Sequence, residues 1–425
     1  MLFENNTPST DTALSRSMLK RGFSRIQSHF SLAVIIGGAV CFLLTNIILR
    51  ELLDEHNYGV YSIVITFLSV IFIYGLLGFE QVFVRFSHQK GLYTITTQKT
   101  QLKYCLLIVL LTTFLSVVAY ENYFSDYLHI NLVLLSGATF SMISTLILFN
   151  IFRLNQNFVA SQFVSNGWKI LMAFVALFFF AYKMTDLGLF INIVLSSIIA
   201  ISIISFVIIL NKFSWEFNDE LSPKNTQIAF LNFFIAITAF SIVLFADRFI
   251  IESKLGTKVF GDYFYLTTLV LSPFSILQNY VGFKQLIEFK QKFTIASFKY
   301  FNKRIIVFSF GLAFAMVLFT MTLSRLNFLN FDFGFYTTTI GLLLVLGIVR
   351  LYSSAVLSAF EAKTSIKTLQ TANLIVVSTT IIVSIFVIYT SSTLDQIISG
   401  FILIWFFRSL IYRQLLVRQI TRAAN

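Results

Sequence analysis

Residues 30–49, FSLAVIIGGAVCFLLTNIIL, form a run of twenty residues without a single charge. A helix needs about 20 predominantly apolar residues to cross the hydrocarbon layer of a membrane, because each residue adds only about 1.5 Å. The run is therefore predicted to cross a membrane. The polar residues before it offer no small-residue cleavage site, so we expect a retained first crossing rather than a removed signal peptide.

The composition of the whole chain extends this reading. The 425 residues are 57% hydrophobic and only 12% charged, and their mean hydropathy is +0.83. A soluble domain carries roughly a quarter of its residues as charges, so these are too few to cover a water-facing surface. We predict an all-α polytopic membrane protein with about twelve transmembrane helices in two six-helix bundles. The predicted helices are 30–49, 58–79, 104–120, 130–152, 163–182, 187–210, 228–245, 261–281, 305–323, 336–360, 372–389 and 394–417.

The distribution of lysine and arginine predicts the orientation. One alternating set of connecting segments carries 22 of these residues and the opposite set carries 6. Because cytoplasmic loops keep the positive charge, both termini are expected in the cytoplasm. The predicted division is an interfacial or cytoplasmic segment 1–29, a bundle 30–210, a cytoplasmic linker 211–227, a second bundle 228–417 and a cytoplasmic tail 418–425.

An internal repeat relates the two bundles. YGVY at 58–61 opens the second helix and FGDY at 260–263 opens the eighth, while GFEQ at 78–81 and GFKQ at 282–285 close the same two helices. Six crossings per half is an even number, so the copies share one orientation. We expect a pseudo-twofold axis along the membrane normal and a cargo site between the halves.

Several classes of site are not indicated. The sequence has no nucleotide-binding glycine-rich loop and no paired metal-ligand spacing. Its histidines and cysteines are scattered, at His29, His56, His88, His129, Cys41 and Cys105. We predict no metal and no cofactor. The net charge of +12 is interpreted as a topology signal with attraction to anionic lipid, and no nucleic-acid partner is expected.

Basic residues inside the predicted helices point to an anionic cargo. An ionisable side chain at a helix centre costs about 2.5 to 3.5 kcal/mol, so each needs a partner, a wet cavity or a ligand. Guanidinium groups bind phosphate through paired hydrogen bonds. The alternative is snorkelling to the headgroups, which is favoured for Arg85, Arg153 and Arg408 but not for the mid-helix Arg350. The candidate substrate-binding residues are Arg350, Lys169, Arg85 and Arg248.

The apolar runs that define the predicted helices leave the acidic residues outside the membrane or at helix ends. Asp247 and Arg248 directly follow the predicted seventh helix, where a local ion pair at the interface is the simpler interpretation. Glu80, Asp247 and Asp262 are candidates for proton or sodium linkage, but none is predicted to lie at mid-membrane.

Short motifs resemble those of the Wzx-type O-antigen and polysaccharide flippases of the MOP (multidrug/oligosaccharidyl-lipid/polysaccharide) exporter superfamily. The motifs are NIILR at 46–50, YGVY at 58–61, GFEQ at 78–81 leading to Arg85, DRFI at 247–250 and GDY at 261–263. The resemblance implies two bundles around a V-shaped cavity lined with basic residues, of which Arg350, Lys169, Arg85 and Arg248 would be the equivalents by depth.

The implied function is transfer of an undecaprenyl-pyrophosphate-linked oligosaccharide across the bacterial cytoplasmic (inner) membrane. The partners implied are the lipid-linked oligosaccharide (a polyprenyl pyrophosphate) and membrane lipids. The resemblance also suggests a polysaccharide polymerase and a chain-length regulator. Two alternatives remain. One is a polymerase or ligase enzyme, which the short predicted outer loops disfavour. The other is a cation-coupled small-molecule exporter of the same superfamily, which the absence of an acidic residue within the first predicted helix disfavours.

Overall fold

A computed structural model describes residues 10–91, 93–218, 223–326 and 331–424. Long helices dominate it, because within a membrane every backbone polar group must be satisfied inside its own segment. Side-chain N-caps begin several of them, for example Asp54 and Asp186. The helices are α1 (Thr10–Leu52), α2 (Glu55–Tyr74), α3 (Phe79–Phe86), α4 (Lys99–Tyr123), α5 (Leu132–Leu154), α6 (Phe158–Ala181), α7 (Leu187–Lys212), α8 (Pro223–Gln291), α9 (Ile295–Leu326), α10 (Thr337–Lys363), α11 (Ile366–Thr390) and α12 (Leu394–Ala424).

Helix α8 is long enough to cross a membrane twice. Its apolar part extends over 57 residues, which would span about 85 Å if straight. The backbone leaves the helical region at Gly256, with φ 82° and ψ 170°. The Tyr263 hydroxyl donates a hydrogen bond to Asp247, sixteen residues earlier, and this contact requires the chain to reverse. The two arms of α8, 223–255 and 257–291, are therefore separate crossings, and the prediction of twelve is confirmed for the described residues.

The two halves repeat the same packing. In the first half, α5 packs against α4, α6 and α7, α2 packs against α5, and α1 packs against α6. In the second half, α10 packs against α8, α9 and α12, and α11 packs against α8 and α12. In chain order, α1 corresponds to the first arm of α8, and α2 together with α3 corresponds to the second arm. Helices α4 to α7 then correspond to α9 to α12, and most of the packing neighbours match. The predicted pair of six-helix bundles is thus present.

The halves meet where the repeated motifs meet. Helices α1, α2 and α3 contact α8. A Cβ added to Gly261 would lie 3.0 Å from the Cα of Gly59, and a Cβ added to Gly59 would lie 2.4 Å from the carbonyl oxygen of Thr257. The glycines of YGVY and FGDY therefore allow the two backbones to cross in direct contact.

A small sheet departs from the predicted all-helical chain. Strands β1 (His88–Gly91) and β2 (Thr94–Thr97) form a hairpin, and β3 (Ser214–Phe217) pairs in parallel with β2. Strand β3 lies inside the predicted linker, and α8 begins at Pro223 rather than residue 228. The sheet ties the segment before α4 to the end of α7, on the face where α1 begins and α12 ends, here called the terminal face. That this face is cytoplasmic stays a prediction.

The second predicted helix, 58–79, is divided in the structure. Helix α2 ends at Tyr74, and α3 begins after Leu77 and Gly78, whose φ angles are 52° and 82°. At the N-terminus, α1 is continuous from Thr10, while residues 1–9 lie outside the described part of the chain. The interfacial position expected for the segment 1–29 stays a prediction.

Candidate functional site

The deepest arginine lies in α10. Arg350 is thirteen residues from either end of Thr337–Lys363, or about 20 Å along the helix axis. Its guanidinium carbon stands 5.0 Å from the ring centroid of Trp405 on α12. The side chain therefore turns toward a neighbouring helix of its own bundle instead of reaching for a headgroup.

A second arginine shares the same ring. Arg408 stands 4.9 Å from the Trp405 centroid and is also close to the rings of Tyr412 and Phe240. Only 5% of its surface is exposed. The snorkelling interpretation of Arg408 was wrong, because these rings hold its charge inside the bundle by cation–π attraction. Its position three residues after Trp405, on one helical face, is the sequence signal that could have revealed the pair.

The buried acid of this region is Asp247, which the sequence placed beyond a helix end. The first arm of α8 continues past the predicted end at residue 245, so Asp247 lies within a crossing and is 9% exposed. One carboxylate oxygen accepts a hydrogen bond from the Tyr263 hydroxyl, and the other accepts from the backbone N–H of Arg248 at 2.9 Å. The carboxylate also interacts electrostatically with the side chains of Arg248 and Arg350.

Arg248 reaches across to the other half of the protein. One of its Nη atoms lies 3.4 Å from the Thr66 hydroxyl on α2, and its guanidinium carbon stands 5.4 Å from the rings of Phe245 and Phe264. The ion pairs found within the described residues do not join Asp247 to Arg248. The predicted local ion pair is therefore wrong, because the two side chains leave α8 toward different neighbours.

These residues form one charged group, here called the arginine cluster: Arg248, Arg350, Arg408 and Asp247. The three guanidinium groups and one carboxylate carry a formal charge of +2 when all are ionised. Arg350 interacts electrostatically with the other three members. Such an excess of buried positive charge fits an anionic ligand better than a cationic one.

The other two candidates lie elsewhere. Lys169, on α6 in the first half, donates to Asn166 at 3.2 Å and stands 5.8 Å from the Trp168 ring. Arg85 is exposed at the end of α3, 6.0 Å from the Phe86 ring. Their described contacts do not include a member of the arginine cluster. The structure thus brings two of the four predicted residues together, and the binding role of all four stays a prediction.

A second group of charges closes the face opposite the termini. Arg50, at the end of α1, donates to Asp262 at 3.0 Å, and the Tyr336 hydroxyl donates to the same carboxylate at 2.7 Å. Lys258 pairs with Glu55 at 2.5 Å. Both ion pairs join the first half to the second arm of α8, so this face is shut beside the Gly59 and Gly261 crossing.

Comparison with known proteins gives the fold. No family model matches the chain, and no curated protein matches it. Solved structures do. An outward-facing multidrug resistance MATE family transporter of the MOP superfamily has a TM-score of 0.59 at 13% identity, covering 94% of this chain and 96% of that one. An inward-facing structure of such a transporter has a TM-score of 0.59 at 12% identity, covering 92% and 98%.

A third solved structure is similar over most of both chains. A MOP superfamily transporter from Pyrococcus furiosus, described as having a binding pocket of reverse polarity, has a TM-score of 0.54 at 12% identity over 93% of this chain and 97% of that one. At these identities the likeness concerns the fold alone. The chain has the fold of the MATE transporters of the MOP superfamily.

Proposed function

We propose that this chain is a transporter that moves an undecaprenyl-pyrophosphate-linked oligosaccharide, such as an O-antigen repeat unit, across the bacterial cytoplasmic membrane by alternating access. The observation that carries the proposal is the arginine cluster, in which Arg350 interacts electrostatically with two further arginines and with the single carboxylate of Asp247. A pyrophosphate supplies the missing negative charge together with several acceptor oxygens. The sugars would occupy the space between the halves while the polyprenyl tail stays in lipid.

A transporter is favoured over a polymerase or ligase by the connecting segments. On the face opposite the termini, the described connections between helices are short: 53–54, 124–131, 182–186 and 391–393. An enzyme acting on a growing polysaccharide needs a platform there for its catalytic groups. We propose that the polymerase and chain-length regulator are separate proteins that take over the flipped cargo.

A cation-coupled exporter of small molecules is the second candidate. The fold likeness to multidrug transporters supports it, and so does a carboxylate buried within a crossing, Asp247. The net positive charge around that carboxylate opposes a cationic drug as cargo. Dye efflux from vesicles under an imposed proton or sodium gradient distinguishes this candidate from the first.

The test is deletion of the gene in its source bacterium and complementation with wild type, Arg350→Ala or Arg304→Ala. Arg304 is the matched control, because it also lies near an aromatic ring, at 5.7 Å from Tyr300, but is exposed. Surface polysaccharide and lipid-linked repeat units on the cytoplasmic side are measured, with protein abundance in parallel.

The expected result is that the deletion strands single repeat units inside, that Arg350→Ala does the same at normal abundance, and that Arg304→Ala restores export. Loss of one charge-assisted contact, worth about 1.5 to 3 kcal/mol, should lower transport about 10- to 100-fold. Single repeat units that reach the outer leaflet in the deletion strain would overturn the proposal.

A further inference from the structure

The carboxylate of Asp247 is fixed in place by two arms of the same hairpin. Its Oδ2 accepts from the Tyr263 hydroxyl on the second arm of α8, and its Oδ1 accepts from the backbone N–H of Arg248 on the first arm. Both oxygens therefore have a donor within α8 itself. The carboxylate cannot turn away without breaking the hydrogen bond from Tyr263, which also joins the two arms of the hairpin.

The charge of this carboxylate nevertheless acts on two of the arginines. Asp247 interacts electrostatically with the side chains of Arg248 and Arg350 but forms an ion pair with neither, within the described part of the chain. Its hydrogen bonds come from Tyr263 and a backbone amide, so the carboxylate occupies no donor of either guanidinium group. The Asp247 carboxylate therefore offsets part of the positive charge of Arg248 and Arg350 without forming an ion pair with them. Both arginines remain able to bind an anion.

We propose that Asp247 is an internal counter-ion that competes with the anionic group of the cargo for Arg248 and Arg350. This rests on the function proposed above. Because the carboxylate cannot leave, it repels a bound pyrophosphate and keeps its affinity low enough for release. Arg248 also contacts Thr66 of the first half, so it lies at the boundary between the two halves. The arginine for which Asp247 and the cargo compete is therefore placed where the halves would move relative to each other.

The test measures binding of farnesyl pyrophosphate, a polyprenyl pyrophosphate without sugar, to the purified full chain in nanodiscs. The variants are Asp247→Asn, which removes the charge, and Asp247→Glu, which retains it. Glu252→Gln is the matched control, because Glu252 lies on the same arm of α8 and also accepts a tyrosine hydroxyl, that of Tyr127. Transport is measured on the same variants, and a melting temperature confirms that each is folded.

The expected result is that Asp247→Asn binds about tenfold more tightly than wild type, the effect of removing a close like charge, yet transports more slowly. Glu252→Gln should bind as wild type does, and Asp247→Glu, which retains the charge, should show no gain in affinity. A merely structural role for Asp247 would weaken binding in the Asn variant and never strengthen it. Should that variant fail to fold, Asp247→Ser removes the same charge and is expected to give the same gain in affinity.

Two negative outcomes are distinguishable. If wild type binds farnesyl pyrophosphate and the neutral variant binds no more tightly, the counter-ion proposal is overturned and the proposed cargo stands. If neither wild type nor the neutral variant binds the probe, the proposed cargo is overturned, and the counter-ion proposal with it.

Discussion

Trp405 is the residue on which the arginine cluster depends most directly. Two guanidinium carbons stand within 5.0 Å of its ring centroid, and the residue is 2% exposed. Two like charges this close repel each other, and the negative face of an indole ring is what stabilises both where water is scarce. The aromatic ring therefore allows Arg350 and Arg408 to be neighbours before any ligand is bound.

We predict that Trp405→Leu destabilises the folded protein by about 2 to 4 kcal/mol, the sum of two desolvated cation–π contacts. Trp405→Phe keeps an aromatic face and should lose less. Thermal unfolding of the purified protein measures both. Phe407→Leu, on the same helix and 42% exposed, is the control for loss of an aromatic group and should melt near the wild-type temperature. Equal losses for Trp405→Leu and Phe407→Leu would contradict a role for the shared ring.

The sequence identified some of these residues and misplaced others, for a physical reason. Arg350 was predicted because it interrupts a long apolar run far from either end. Asp247 was placed outside the membrane because residues 247–258 contain five charged side chains, which end a hydropathy window. The helix nevertheless continues to Gly256. Asp247 accepts a hydrogen bond from Tyr263 on the second arm, and Arg248 reaches the Thr66 hydroxyl on α2, so partners on other crossings compensate these two charges. Such compensation cannot be read from one segment alone.

At the scale of elements, the bend within α8 determines where Asp247 and Tyr263 meet. Gly256 has φ 82° and ψ 170°, a region of backbone space that essentially only glycine occupies. Nothing lies within 4 Å of where its Cβ would be. A substitution there is therefore costly through backbone strain and not through a clash.

We predict that Gly256→Ala lowers the free energy of unfolding by about 1 to 3 kcal/mol. Gly341→Ala is the matched control, because it also meets nothing within 4 Å but lies in the ordinary conformation of helix α10. That change should be neutral or stabilising by about 0.5 to 1 kcal/mol. Equal effects in a thermal or denaturant unfolding experiment would show that the bend does not constrain the chain.

The helices were largely predictable and the sheet was not. A run of about twenty apolar residues has few alternatives in lipid, so the twelve crossings follow from hydropathy alone. The strands HQKG, TITT and SWEF are four residues each and mostly polar, and β3 is more than a hundred residues from its partner β2. Their pairing depends on α4 and α7 delivering them to the same place, which only the packed bundle determines.

At the scale of the whole molecule, the halves touch at both faces. On the terminal face, the Tyr74 hydroxyl lies 3.1 Å from the Thr238 hydroxyl, and the rings of Phe79 and Phe230 are 5.8 Å apart. On the opposite face, Lys258 pairs with Glu55. The proposed alternating access requires that the contacts of one face break while those of the other persist. The ion pairs of the opposite face and the aromatic contacts of the terminal face should therefore not all persist throughout a transport cycle.

We therefore predict that a covalent bridge at the opposite face stops transport. Cysteines replace Glu55 and Lys258 in a chain whose native Cys41 and Cys105 are changed to serine, and a reducible bifunctional thiol reagent joins the pair. Flipping of lipid-linked oligosaccharide is then measured in proteoliposomes. Transport should stop on bridging and return on reduction, because the proposed cargo would leave through this face. The single-cysteine variants treated with the same reagent are the controls and should remain active. Undiminished transport by fully bridged protein would mean that the two halves do not separate at this face. The cargo would then need a path that leaves the Gly59 and Gly261 crossing closed.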